Sequence, residues 1–145
     1  MIRVVVADDQ ALMRTALEHF VAQAEDLEVV GSAEDGVQAL EAARTLAPDV
    51  VLMDMQMPNM DGLSATRAIR RIEAERPAEP RTPIIMLSAN AMAEHRDQAQ
   101  AAGADIHVPK PITAASLLAG TALAQDFNAA PPNAPDQQPA FENQT

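Results

Sequence analysis

The chain has 145 residues, 48% of them hydrophobic, which is enough to bury the core of one ordinary domain. Its 21 acidic residues against 10 lysines and arginines give a formal net charge of −11, which disfavours direct nucleic-acid binding because a phosphate backbone is repelled. The absence of cysteine excludes disulfides and thiolate metal sites, and no apolar run approaches the ~20 residues that span a bilayer.

The N-terminal sequence "MIRVVVADD" is not typical of a signal peptide, because two acids follow a short run of valines. We therefore expect a cytoplasmic protein with no membrane contact. Short apolar runs rich in branched side chains then predict the strands of a parallel sheet. Residues 4–7, 50–53 and 84–87 form uninterrupted runs, which favour strands buried on both faces. Residues 29–30 and 106–108 are shorter runs with polar neighbours, as in edge strands.

Segments with helical periodicity lie between these runs. The second of them carries an apolar stripe made by Val37, Leu40, Ala43 and Ala47. The third helix should end near Glu75, because three prolines follow it closely. An alanine-rich fourth helix is predicted over residues 91–102, with Gly103 ending it in a left-handed conformation. A fifth helix should begin near Thr113, which is a good N-cap residue.

Five strands alternating with five helices predict right-handed βαβ units and a three-layer α/β sandwich. Three buried strands and two edge strands fit a flavodoxin-like (βα)5 fold with a parallel sheet of order 2-1-3-4-5. We expect this domain to occupy residues 1–125. Residues 126–145 contain four prolines among scattered polar residues and are predicted to form a disordered, Pro-rich C-terminal tail.

Polar side chains collect where the predicted strands end. Asp8 and Asp9 follow the first strand, and Asp54 follows the third. Ser88 ends the fourth strand, and Lys110, the only lysine of the chain, follows the fifth. Ligands of open α/β sheets bind outside the carboxyl ends of the strands, where the strand order reverses. We therefore expect these five side chains to converge on one rim of the sheet.

Three carboxylates in one cleft repel each other, by roughly 4 kcal/mol for two charges about 4 Å apart. A hard divalent cation relieves this repulsion, and an all-oxygen ligand set favours Mg²⁺ or Mn²⁺ over zinc. An aspartate beside a metal ion and an ammonium is suited to phosphoryl transfer, because Asp can form an aspartyl phosphate. The compact ammonium of Lys110 meets a phosphoryl oxygen as a point charge, whereas a planar guanidinium needs more room.

Four stretches of the chain are typical of one known family: "VVVADDQALMR", "PDVVLMDMQMPNMDGLSATRAIR", "TPIIMLSANAM" and "AAGADIHVPKPI". On these motifs the chain resembles response-regulator receiver domains of bacterial two-component signalling. The resemblance covers about residues 3–125 and is specific, because the acid pair, the aspartate, the hydroxyl and the Lys-Pro pair occur in order at strand ends.

The resemblance implies a phosphoacceptor and a magnesium site. Asp54 would accept the phosphoryl group. Asp9 and Asp54 would bind Mg²⁺ directly, Asp8 would bind it through water, and the backbone carbonyl of Gln56 would be a further ligand. Mn²⁺ would be able to replace Mg²⁺ in such a site.

The resemblance also implies residues that hold and sense the phosphoryl group. Ser88 and Lys110 would contact the phosphoryl oxygens, and the bond between Lys110 and Pro111 would be cis. In this family the hydroxyl moves toward the phosphoryl group and an aromatic residue on the fifth strand rotates inward. That switch position, usually Tyr or Phe, is occupied here by His107.

The implied function is a switch that accepts a phosphoryl group from a histidine kinase or a histidine phosphotransfer protein. Its activity would be restricted to its own phosphorylation and dephosphorylation. The face made by the fourth helix, the fifth strand and the fifth helix would then bind a downstream effector protein. Without a DNA-binding segment, direct nucleic-acid contact is not expected.

Other interpretations remain open from the sequence. We expect a stand-alone, single-domain receiver, but the chain can also be read as a receiver excised from a hybrid histidine kinase, or as a pseudo-receiver that only binds partners. A phosphatase of the haloacid dehalogenase type is disfavoured, because its D-x-D pattern is absent where this chain reads "DDQ". Asp8 and Asp9 are also suited to capping the first helix, and Asp61 to capping the third. His19 and His95 are expected on helices, facing solvent.

Overall fold

A computed structural model describes residues 1–89, 93–110, 116, 120 and 121. Strands and helices alternate in the order β1 (Ile2–Ala7), α1 (Ala11–Gln23), β2 (Leu27–Ala33), α2 (Gly36–Leu46), β3 (Val50–Asp54), α3 (Gly62–Glu75), β4 (Ile84–Ser88), α4 (Ala93–Ala102) and β5 (Ile106–Pro109). The five strands are parallel and lie in the order β2-β1-β3-β4-β5. The predicted flavodoxin-like fold is confirmed.

The helix boundaries agree with the sequence where both are described. α3 ends at Glu75, and Gly103 follows α4 with a left-handed φ of 104°. Most of the predicted fifth helix, the predicted tail over residues 126–145, and Pro111 with its predicted cis bond lie outside the described residues. In the part of the chain that is described, no helix combines the length and the apolar character needed to cross a membrane.

The sheet separates two hydrophobic cores, because alternate residues of a strand point to opposite faces. Val5 and Ala7 of β1 pack in one core with side chains of α2, α3 and α4. Val4 and Val6 pack in the other core, which includes α1. Strands β3 and β4 are buried along their whole length, as expected for the centre of a parallel sheet covered on both faces.

The buried face of α2 differs from the predicted stripe. Gly36, Ala39 and Ala43 are buried, whereas Val37 is 51% exposed. The cause is a backbone contact at the start of the helix, where Gly36 N donates to Met60 O at 2.8 Å. A Cβ atom at Gly36 would lie 2.2 Å from that carbonyl oxygen, so only glycine can face the loop there. This contact fixes the rotation of the helix and leaves Val37 outside.

The start of α3 is packed directly against the end of β3. The side chain of Asp61 accepts a hydrogen bond from Ser64 N at 2.7 Å, which confirms its predicted N-cap role. Gly62 N donates to Met55 O at 2.9 Å. A Cβ atom at Gly62 would lie 2.1 Å from the backbone oxygen of Asp54. The carboxyl end of β3 therefore has its position only because residue 62 has no side chain.

We predict that Gly62→Ala lowers the free energy of unfolding by about 2–3 kcal/mol, because the added methyl group must displace backbone. Gly31→Ala is the matched control. Its Cβ would lie 2.6 Å from the flexible end of the Leu46 side chain and 3.6 Å, an ordinary contact distance, from Val5, so we expect a loss below about 1 kcal/mol. Urea denaturation of both variants measures the difference. Equal losses of stability in the two variants would show that the backbone of Asp54 does not restrict the space at residue 62.

Candidate functional site

Three carboxylates converge at the carboxyl ends of the central strands. Asp8 and Asp9 follow β1 and Asp54 ends β3, and each contributes an oxygen to a group whose members all lie within 4.8 Å of one another. Asp8 is fully buried and Asp54 is 6% exposed, whereas Asp9 is exposed. The strand register thus brings together acids that are 45 residues apart in the sequence, as predicted.

The ammonium of Lys110 lies among these acids. Its Nζ atom is 3.2 Å from Asp54 Oδ1 and 3.5 Å from Asp8 Oδ2. The backbone positions the side chain, because Lys110 N donates to Ser88 O at 2.7 Å beyond the paired part of β4 and β5. One half-buried cation therefore bridges the two buried carboxylates.

A cavity of about 420 Å³ opens beside this cluster. Asp9, Asp54, Ser88 and Lys110 all line it. Gln56 lies on its wall in the loop between β3 and α3. One space, large enough for a small ligand, is therefore lined by all the predicted polar residues at the strand ends except Asp8. Asp8 is fully buried.

The helix-capping alternative for Asp8 and Asp9 does not describe the structure. α1 begins after Gln10, and that N-cap position makes no side-chain capping hydrogen bond. Asp8 Oδ1 instead accepts from Gln10 N at 2.9 Å, and Arg14 Nη1 donates to the backbone oxygen of Asp8 at 2.8 Å. These contacts hold the turn after β1 while its carboxylates face the cluster.

The loop between β3 and α3 is fastened to α2 by a contact that the sequence did not reveal. Asp35 caps α2 by accepting from Gln38 N at 2.8 Å, and its other carboxylate oxygen accepts from Asn59 Nδ2 at 2.8 Å. These hydrogen bonds lower the pKa of Asp35. Asn59 has a left-handed φ of 67°. The acid before Gly36 signals a helix cap, but its second partner, 24 residues away, carries no sequence signal.

Ser88 and His107 form a buried hydrogen-bonded pair. Ser88 Oγ lies 2.6 Å from His107 Nε2, and the two residues are 1% and 4% exposed. Burial lowers the pKa of His107, and the positive charges that His95 and Arg96 can carry lower it further. The buried environment therefore favours the neutral form of the His107 ring, which lies against Ser88.

The exposure of His95 differs from the exposure predicted from the sequence. We expected it to face solvent, but it is half-buried and lines the cavity with Ser88. Its Nδ1 atom is buried and has no hydrogen-bond partner among the described residues. His19 is exposed on α1, as predicted.

A second cavity, of about 430 Å³, lies between α2 and α3 at the opposite ends of the strands. Its wall includes Arg76 and Arg81, whose guanidinium groups pair with Glu79 and with the buried Asp105. Arg76 and Arg81 thus serve in ion pairs that stabilise the fold. We therefore place the functional site in the cavity beside Asp54.

Comparison with known sequences identifies the family. The profile of the response regulator receiver domain matches residues 4–122, which is most of the chain. The chain belongs to the response regulator receiver domain family. Receiver domains accept a phosphoryl group as a signalling switch and bind Mg²⁺ at an acidic pocket, and this chain has an aspartate cluster at the corresponding edge of its sheet.

Individual relatives show the same domain. The chain is 39% identical over 118 residues to the protein-glutamate methylesterase/protein-glutamine glutaminase of Pyrococcus abyssi, covering 80% of this chain and 30% of that protein. The response regulator domain of Thermotoga maritima CheB is 35% identical with a TM-score of 0.75, covering 87% of this chain and 97% of that one. The signal receiver domain of Mycobacterium tuberculosis NarL is 31% identical with a TM-score of 0.78, at 86% and 96% coverage. This receiver domain spans about a quarter to a third of the length of the curated relatives it matches.

The electrostatics of the receiver cluster make the carboxyl group of Asp54 a weaker acid than a free aspartate. Burial raises the pKa of Asp54 to about 6, and the negative charge of Asp8 adds to the rise, while Lys110 opposes it. In the unfolded chain the same carboxyl ionises near 3.8. The folded state therefore binds more protons than the unfolded state between these two values, and stability falls as the pH rises through that window.

We predict that Asp54→Asn raises the free energy of unfolding of the metal-free domain. This gain in stability should grow from about pH 4 to pH 6 and be constant above about pH 7. The gain at neutral pH has an upper limit of about 3 kcal/mol, since one pKa unit corresponds to about 1.4 kcal/mol. Urea denaturation in the presence of a chelator measures it. Asp97→Asn, at an exposed position on α4, is the control and should give no such pH dependence. A gain that shrinks with rising pH would contradict the assigned ionisation.

Proposed function

We propose that this receiver domain is a phosphorylation-dependent signalling switch in which Asp54 accepts a phosphoryl group with the aid of Mg²⁺. The phosphoryl donor is a histidine kinase or a histidine phosphotransfer protein. The convergence of Asp8, Asp9, Asp54 and Lys110 at one edge of the sheet carries this proposal, since the carboxylate oxygens lie within 4.8 Å of one another and Lys110 Nζ lies 3.2 Å from Asp54.

The donor set fits a hard divalent cation. The three clustered side chains offer only carboxylate oxygens, and Mg²⁺ is usually bound by one or two carboxylates together with waters and a phosphate oxygen. In this proposal Asp9 and Asp54 bind the metal directly, Asp8 binds it through water, and the backbone carbonyl of Gln56 completes the protein ligands. Mn²⁺ is an alternative ion. A bound divalent cation supplies positive charge that offsets the charge developing on the transferring group.

Asp54 is the nucleophile of the proposed reaction. A carboxylate oxygen of Asp54 forms a bond to phosphorus while the bond from phosphorus to the donor histidine nitrogen breaks, and the electron pair of that bond stays on the imidazole. Lys110 lies on the Asp54 Oδ1 side of the cluster at 3.2 Å, so its ammonium has only a short distance to move to a phosphoryl oxygen. The hydroxyl of Ser88 lines the same cavity and is suited to donate to a second oxygen.

The output of the switch is a protein surface. Ser88 forms a hydrogen bond with His107 on β5, and α4 lies beside that strand. A change in the position of Ser88 is therefore passed to this side of the molecule through one contact. We assign the effector surface to α4, β5 and the predicted fifth helix. The partner is a downstream effector protein and not a nucleic acid, because the net charge is −11. We assign the switch to the cytoplasm, where phosphoryl donors of this kind act.

We limit the activity of this chain to its own phosphorylation and dephosphorylation at Asp54. The methylesterase and glutaminase activities named for its relatives belong to proteins of which the match covers about a quarter to a third.

We predict that acetyl phosphate with Mg²⁺ adds one phosphoryl group to the chain, detected by intact mass. Omission of Mg²⁺ and the substitution Asp54→Asn should each abolish the adduct, while Asp97→Asn, on the exposed surface of α4, should leave it unchanged. An adduct that survives in Asp54→Asn would show that another residue is the acceptor. Release of many equivalents of phosphate from phosphate monoesters would indicate a phosphatase instead.

A further inference from the structure

One ionisable side chain in the cavity beside Asp54 has no part in the proposed reaction. Among the described residues four such side chains line this cavity, and three of them, Asp9, Asp54 and Lys110, belong to the cluster at the strand ends. The fourth is His95, which comes from α4. His95 forms no hydrogen bond or ion pair with a described residue, so it stands apart from the strand-end cluster while lining the same space.

The burial of one edge of the His95 ring decides which nitrogen can act. Nδ1 is buried and has no hydrogen-bond partner among the described residues. A molecule in the cavity can therefore meet only the other ring nitrogen, Nε2. A neutral imidazole carries one N–H and one lone pair, and a buried N–H without an acceptor is rarer than a buried acceptor without a donor. The proton of the neutral ring therefore belongs on Nε2.

The charges around the cavity do not change this conclusion. A protonated imidazole carries an N–H on both nitrogens, so Nε2 of His95 is a donor whether the ring is neutral or charged. Asp9, Asp54 and the ammonium of Lys110 line the same cavity, and Arg96 follows His95 on α4. Their fields affect how strongly Nε2 donates, but they do not turn it into an acceptor.

The cavity has room for more than a phosphoryl group. Its volume of about 420 Å³ lies within the range of ~300–1,000 Å³ that is typical of small-molecule sites. In phosphoryl transfer the attacking atom and the leaving atom lie roughly in line, on opposite sides of phosphorus. With Asp54 as nucleophile, the leaving group therefore projects away from the strand-end cluster, toward the part of the wall that the cluster does not form. His95 belongs to that part of the wall.

His95 is better prepared to bind a leaving group than the other donors on this part of the wall. Gln10 and Gln56 also carry side-chain N–H groups there, but both residues are exposed. A glutamine that becomes ordered on a ligand loses rotamer freedom, which costs roughly 1.5–2 kcal/mol. His95 is already half-buried on a helix, so less of its freedom remains to be lost.

We propose that His95 is a specificity-determining residue for the phosphodonor: its Nε2–H donates to the acyl oxygen of an acyl phosphate while Asp54 attacks the phosphorus. The bond from Asp54 to phosphorus forms, the bond from phosphorus to the bridging oxygen breaks, and the electron pair stays on the departing carboxylate. His95 keeps its proton and stabilises the negative charge that develops on the leaving group. This inference rests on the proposed function of Asp54 and adds to it a preference among small donors.

Phosphorylation of Asp54 by two small donors in the presence of Mg²⁺ tests this role. Acetyl phosphate releases a carboxylate, which accepts hydrogen bonds, whereas the leaving nitrogen of phosphoramidate carries protons and departs as ammonia. His95→Phe should slow phosphorylation by acetyl phosphate about fivefold, the effect of one hydrogen bond, and should change the phosphoramidate rate by less than about twofold. The ratio of the two rate constants is the measurement, because a general structural effect changes both rates alike.

Two amides of different length provide matched variants. The side-chain nitrogen of glutamine reaches about as far as Nε2 of histidine, whereas that of asparagine reaches only about as far as Nδ1. His95→Gln should therefore keep the ratio within about twofold of wild type, and His95→Asn should lower it as much as His95→Phe. His19→Phe, at an exposed position on α1, should leave both rates unchanged. The lifetime of the aspartyl phosphate should be the same in all these variants, because the leaving group has departed.

Nitrogen NMR of histidine-labelled, metal-free protein tests the donor without any phosphorylation. The resonances of His95 are identified by their loss in His95→Gln. We expect the proton of the neutral ring on Nε2, and a proton on Nδ1 would overturn this inference.

The kinetic outcomes separate this inference from the proposed function. If His95→Phe slows the reactions of both donors by the same factor, or slows neither, the contact with the leaving group is wrong and Asp54 remains the proposed acceptor. A wild-type chain that accepts a phosphoryl group from neither donor would overturn the proposed function, and this inference with it.

Discussion

The interaction on which the site depends is the contact of one ammonium with two buried carboxylates. Lys110 Nζ lies 3.2 Å from Asp54 and 3.5 Å from Asp8. Asp9 adds a third negative charge to the same cluster, so one lysine cannot neutralise it. Burial raises the pKa of Asp54 to about 6, with a further contribution from the negative charge of Asp8. In the proposed function, the same imbalance that destabilises the cluster attracts the divalent cation that accompanies phosphoryl transfer.

Backbone contacts around the cluster hold the carboxylates in place despite their mutual repulsion. Gly62 allows α3 to start against the carbonyl of Asp54, and Gly36 holds the intervening loop through Met60. Asp35 fastens the same loop through Asn59. Asp54, the proposed acceptor, is therefore at the end of a buried strand whose neighbours cannot move apart without breaking several hydrogen bonds. Such rigidity keeps the carboxylates close together even though their charges oppose it.

The features that could be predicted from the sequence are those that depend on a pattern within a single strand or helix. Uninterrupted apolar runs identified the three central strands, and strand ends identified the residues of the site, because parallel strands all end at the same edge. Contacts between elements were not predictable in this way. The exposure of Val37 depends on the backbone of Met60, and the half-burial of His95 depends on how α4 lies against the cavity. The bond between Ser88 and His107 needed the distance between two strands, which no spacing in the sequence encodes.

The central claim is that the three aspartates form one binding site for a divalent cation, and calorimetric titration with Mg²⁺ at neutral pH tests it most directly. We predict a single site per chain, with affinity reduced by at least roughly tenfold in Asp9→Asn, as much as loss of an outer-shell partner costs a metal site. Asp26→Asn, at an exposed position directly before β2 and therefore at the opposite end of the strands, should bind Mg²⁺ like wild type. Unchanged Mg²⁺ binding in Asp9→Asn, or no binding by the wild-type chain, would contradict the account.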